Sequence, residues 1–160
     1  MNSKPRVKLF RITKNLLTGL DLVDTQHKEL AKRINRVLRA AEKEGDATYL
    51  IPETFDFLRD YVIAHFMVEE ELMATYAYPQ AQRHRQAHIQ RRAWVQTMAA
   101  SLQNQEPQPE LVTQVNYHLV DWLTRHIQLE DKVLIEFLRA KAEHEKNSTL
   151  LGLFKSFFGK

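Results

Sequence analysis

Cysteine is absent from the 160-residue chain, and glycine and proline are scarce, with four and five residues. Without cysteine there can be no disulfide scaffold, thiolate zinc site, iron–sulfur cluster or cysteine nucleophile. Any metal must therefore sit among nitrogen and oxygen ligands. So few glycines and prolines argue against a turn-rich sheet protein and favour long helices. Long apolar runs are missing too: no stretch approaches the roughly 20 residues of a membrane span. The first twenty residues scatter Lys4, Arg6, Lys8, Arg11 and Lys14 where a signal peptide would need an apolar centre. The expected location is the cytoplasm. Charge of one sign is also modest, 23 Lys and Arg against 20 Asp and Glu, and no nucleic-acid partner is expected. The length suits one domain with its own core.

Four segments carry helical periodicity. The first follows Asp24 with Leu30, Ile34, Val37 and Leu38, and closes at Gly45. The second runs from about Ala47 through Phe55, Leu58, Val62, Phe66 and Leu72 to Tyr78-Pro79. Pro79 suits the first turn of the third helix, which continues to Leu102. A polar link from Asn104 to Pro109 leads to the fourth, about Glu110 to Glu145, with Leu111, Val115, Leu119, Trp122, Leu123, Ile127 and Leu134 as its stripe. Short links join antiparallel neighbours, so the expected fold is all-α, an up-down-up-down four-helix bundle. Residues 1–145 make this one domain, with 1–20 as an irregular arm along it. Residues 146–160 make a short amphipathic C-terminal tail.

What the chain does have is histidine, seven of them. Residues four apart share one helix face. His65 and Glu69 are such a pair on the second helix, His84 and His88 on the third. His27 lies on the first helix and His126 on the fourth, beside Trp122 and Leu123. Either pair alone is weak evidence, since His-x-x-x-Glu arises by chance in many helices. Contributions from all four helices are stronger, because imidazoles converging on a bundle interior without a metal would be costly buried polar groups. On the fourth helix, Glu130 is four residues after His126 and co-facial, while Asp131 is five residues on. Spacing alone leaves both open.

Taken in order, these residues resemble the motifs of the hemerythrin and bacteriohemerythrin family. They are Gly19-Leu-Asp-Leu-Val-Asp-Thr-Gln-His27-Lys-Glu-Leu30, His65-Phe66-x-x-Glu69-Glu70, Tyr78-Pro79 with His84-x-x-x-His88, and Trp122-Leu123-x-x-His126-Ile127-x-x-x-Asp131. The match spans about residues 10 to 140. The resemblance implies a non-heme site of two iron ions. His84, His88 and His126 would bind one, His27 and His65 the other, and Glu69 and Asp131, rather than Glu130, would bridge them. It further implies an oxo or hydroxo bridge, one open position on the two-histidine iron, and reversible dioxygen binding there for transport, storage, delivery or sensing. Leu123 resembles the family's oxygen-pocket leucine, with plain core as its other reading. Phe10 stands where the family usually has tryptophan.

Tyr61, one turn before His65, reads as an aromatic core residue, with a donor role beside the site as the alternative. His118 and His144 are expected to be exposed. The basic run Arg83, Arg85, Arg91 and Arg92 reads as the solvated side of its helix. An enzyme reading, a di-iron oxidase, peroxidase or nitric-oxide-handling protein, ranks second. Carboxylate-rich oxidases use Glu-x-x-His pairs, and no histidine here has Glu three residues before it. A third reading is an oxygen-responsive interaction module. Leu150, Leu153, Phe154, Phe157 and Phe158, spaced three and four apart, could dock the tail on the bundle, a membrane surface or a protein partner.

Overall fold

A computed structural model describes residues 9–44, 47–104, 106, 109–146, 149–150 and 152. Within them lie α1 (Asp21–Glu44), α2 (Ile51–Thr75), α3 (Ala81–Asn104), α4 (Pro109–His126) and α5 (Lys132–Glu145). A π-helical turn, Ile127–Asp131, joins α4 to α5. His126, Asp131 and Lys132 all keep right-handed helical dihedrals, so α4 and α5 form one rod. Four rods result: α2 packs against α3, and α1 packs against α2 and α4. This is the all-α four-helix bundle that the periodicity predicts.

Local chemistry sets the ends. The first helix starts at Asp21, a turn earlier than its apolar stripe suggests. Asp24, buried in its first turn, accepts hydrogen bonds from Thr18 N (2.8 Å), Thr18 Oγ1 (2.9 Å) and Gly19 N (3.1 Å). A carboxylate there also suits the positive end of the helix dipole. Gly19 sits at φ +91°, a conformation that favours glycine. α2 begins at Ile51 rather than near Ala47, because Thr48–Leu50 forms a 3-10 turn and Pro52 takes the first helical turn.

Pro79, expected in the first turn of the third helix, lies instead in the turn before it. α2 ends as Tyr78 N reaches back to Met73 O (2.9 Å), with Ala77 left-handed at φ +52°. α3 starts two residues after Pro79, and Ala81 N donates to Tyr78 O (3.1 Å). Gly45 lies outside the described residues.

The apolar interior is two layers. The larger holds Phe10, Leu16, Leu30, Ile34, Phe55, Leu58, Phe66, Val95, Leu119, Leu123 and Ile127, among others. The smaller holds Leu20, Val23, Met73, Tyr78, Leu134, Ile135, Leu138, Ala142 and Leu150. On α1, α2 and the α4–α5 rod the two layers run to opposite sides of the candidate ligands in sequence, with Phe66 and Ile127 of the larger layer set between ligands. A polar plate therefore divides the core. The arm seals the larger layer: Phe10 and Leu16 are buried, and Asn35 exchanges hydrogen bonds with the Phe10 backbone (2.8 and 2.7 Å). Leu150 is buried in the smaller layer, whereas Leu153, Phe154, Phe157 and Phe158 lie outside the described residues. Among the described residues, no helix is long and apolar enough to cross a membrane.

Candidate metal centre

Every histidine and carboxylate singled out for the site is buried, with 3 % exposure at most. On α2, four-residue spacing stacks His65 and Glu69; on α3 it stacks His84 and His88. α1 supplies His27, and α4 ends on His126. The π turn supplies Asp131. Because a π turn closes i to i+5 instead of i to i+4, it inserts one residue and brings the fifth residue after His126 into line with it. Glu130 is turned outward and pairs with Arg83 at 3.2 Å.

The side chains form two groups. Glu69, His84, His88 and His126 have ligand atoms within 4.8 Å of one another, as do His27, His65 and Asp131. The carboxylates link them. Asp131 Oδ2 lies 2.9 Å from His27 Nε2 and 3.9 Å from His65 Nε2, while its Oδ1 lies 3.0 Å from His126 Nε2 and 3.3 Å from His84 Nε2. Glu69 Oε2 lies 3.2 Å from His88 Nε2, 3.5 Å from His84 Nε2 and 3.6 Å from His65 Nε2. Five Nε2 atoms thus converge on two carboxylates that each reach both groups. None of these Nε2 atoms and neither oxygen of Glu69 or Asp131 has a hydrogen-bond partner among the described residues. Buried polar atoms left in that state are costly. A set of imidazole and carboxylate donors, lone pairs inward, fits divalent metal ions.

The protonation chemistry says the same. Burial, with the charges of His27, His126 and His84, pulls His65 down to about 3 despite Asp131. Burial, with His84 and His126, pulls His88 down to about 2. Both are neutral imidazoles at neutral pH. Burial and the Asp131 charge push Glu69 up to about 8. Burial opposes a charge on His84 as well, but the Asp131 and Glu69 carboxylates beside its Nε2 outweigh that and raise it to about 9. At Asp131 burial works upward, yet His126, His27 and His84 hold the carboxyl well below the usual range. Without metal, protons supply the positive charge that the two carboxylates require.

Two of the imidazoles, His65 and His88, are held from behind by contacts that residue spacing does not reveal. His65 Nδ1 meets Gln26 Oε1 at 2.9 Å; Gln26 neighbours His27 in the chain but serves the histidine of another helix. His88 Nδ1 donates to Glu70 Oε1 at 2.9 Å, and Arg92 holds the same oxygen at 2.9 Å. Such partners fix the ring's tautomer and aim Nε2 inward. Three rings clamp imidazole faces: Phe66 on His88 (centroids 3.8 Å, 5° between planes), Trp122 on His126 (4.4 Å, 17°) and Tyr61 on His65 (5.1 Å, 25°). Leu123 is fully buried one turn before His126.

The basic run on α3 is only partly a solvated side. Arg83 and Arg85 are exposed, but the Arg91 guanidinium lies over Trp122 (4.2 Å) and Trp94 (4.7 Å). Burial lowers it to about 10. His118 and His144 are exposed, as expected.

A four-helix bundle with seven buried nitrogen and oxygen donors, two of them linking carboxylates, defines a metal-binding bundle protein. The particular family follows from comparison with known proteins. Residues 18–138 match the hemerythrin HHE cation binding domain, and the chain belongs to that family. It is similar to the bacteriohemerythrin of Stenotrophomonas maltophilia strain R551-3, with 26% identity over 150 residues that cover 91% of this chain and 95% of that protein. The bacteriohemerythrin of Pseudomonas aeruginosa strain LESB58 shows the same identity and coverage.

Proposed function

We propose that this chain is a di-iron protein that binds dioxygen reversibly and is not an enzyme. His84, His88 and His126 would hold one iron, His27 and His65 the second, and Glu69 and Asp131 would bridge them. The observation that carries the reading is the span of Asp131, whose two oxygens face histidines of both groups at 2.9 and 3.0 Å. The histidine-rich donor set, family membership and the bacteriohemerythrin relatives supply the choice of iron and of dioxygen. Irons bound here would supply the two electrons that dioxygen takes up on binding and returns on release.

The chain's own residues do the rest. Gln26 and Glu70 orient His65 and His88. Phe66, Leu123 and Ile127, all fully buried, keep water from the plate. Excluding water and external acid keeps the bound gas from leaving as a reduced product. Residues 1–145 carry this function as one domain; 146–160 are an appended tail whose start is anchored through Leu150.

The test is anaerobic loading with ferrous iron, then cycles of air and argon in an optical spectrometer. A visible charge-transfer band should rise with oxygen and vanish on its removal. One irreversible oxidation, with hydrogen peroxide or an oxidised substrate released, would replace the carrier reading with an oxidase.

A further inference from the structure

Tyr61 carries a polar group that its surroundings do not use. Its side chain is 7 % exposed, and its hydroxyl is buried without a hydrogen-bond partner among the described residues. Phenylalanine would fill the same space without that cost. The phenol lies nearly parallel to His65, one turn on along α2. His65 Nδ1 is taken by Gln26, so its Nε2 points to the plate and faces Asp131. α2 and α4 run in the same direction, which puts Tyr61 and Leu123, each one turn before a histidine, on the same side of the plate. Both belong to the larger apolar layer, together with Leu30 and Ile127. The Tyr61 hydroxyl is thus a donor held in an apolar layer beside the two-histidine group.

We propose that the Tyr61 hydroxyl donates a hydrogen bond to the small anionic ligand that enters at the His27, His65 and Asp131 side. This rests on the reading that an iron with an open position sits there, and it makes Tyr61 a ligand-contacting residue rather than core filling. A phenol donates a hydrogen bond and keeps its proton at neutral pH, which suits a ligand that must leave unchanged.

Azide is the probe, added to the iron-loaded, oxidised full chain, wild type beside Tyr61→Phe. Iron per chain should be equal in the two. Azide affinity, followed by visible absorbance, should fall about three- to tenfold in Tyr61→Phe, the worth of one net hydrogen bond. The infrared stretch of bound azide should shift between H2O and D2O in the wild type and stay fixed in the variant. Equal affinities with equal isotope shifts would overturn the assignment. So would a loss of iron in the variant, or a drop in the stability of its metal-free form, since either would mean that the hydroxyl holds the protein together. A wild-type protein that holds iron but takes up no azide would overturn the open position itself, and this assignment with it.

Discussion

Asp24 accepts three hydrogen bonds at the start of α1, two from Thr18 and one from Gly19, and is 1 % exposed. Alanine in its place leaves all three donors without an acceptor. Hydrogen bonds to a charged partner contribute about 1.5–3 kcal/mol each. The Gly19 amide is only partly buried and can turn to water, so the expected total is roughly 3–5 kcal/mol. Against a typical stability of about 5–15 kcal/mol, that is a large share. At about 2–4 °C per kcal/mol for a chain of this size, the melting temperature should fall by roughly 6–20 °C. Asparagine keeps an acceptor for Thr18 and should cost about half as much. Because His27 lies one turn further along α1, metal retention should weaken in parallel. The assay is equilibrium urea unfolding, metal-free and loaded, with the denaturant slope compared to wild type. A loss below about 1 kcal/mol at unchanged slope in Asp24→Ala would refute the idea that this carboxylate ties the arm to the helix.

Three further outcomes follow from the same contacts. Leu123→Ala should destabilise the protein by about 2–5 kcal/mol and speed oxidation of the loaded protein in air; an unchanged rate would reduce Leu123 to ordinary core. Ala77→Gly should stabilise by roughly 0.5–1 kcal/mol in thermal unfolding, because glycine takes the φ of +52° without strain. The metal-free protein should be most stable near pH 6.5. Below that, the unfolded chain binds protons on His65 and His88 that the fold refuses, since their folded values lie at about 3 and 2. Stability is therefore lost as pH falls. Above it, the fold holds protons on Glu69 and His84 that the unfolded chain has released, and stability is lost as pH rises through about 8 and 9. Chemical denaturation from pH 5 to 9 checks this, and a steady rise across the alkaline side would contradict it.

The helices and the histidine faces were legible because both follow a fixed period: His65 with Glu69 and His84 with His88 repeat at four, and the apolar stripes run beside them. The register on the fourth helix after His126 was not, because a π turn is one extra residue with no signature in composition. Spacing left Glu130 and Asp131 open and the family resemblance implied Asp131; the backbone shows the reason, an inserted residue that turns Asp131 to the plate and Glu130 to Arg83. Gln26 and Glu70 were invisible for a related reason. Each neighbours a candidate ligand in the chain but supports a histidine on another helix, a relation set by packing. Arg91 was misread because periodicity scores a guanidinium as solvated, whereas Trp122 from α4 and Trp94 from its own helix cover it. The ends of α2 and α3 shifted because proline fits both a first helical turn and the loop before one.

The central claim is that residues of four helices hold two irons through shared carboxylates, and the direct test is iron bound per chain after anaerobic reconstitution. Wild type should bind two. His27→Ala should lose the iron of the two-histidine group, and Asp131→Ala, whose carboxylate faces both groups, should weaken retention of both. A wild-type protein that saturates with one iron, or two irons retained in both variants, would contradict it.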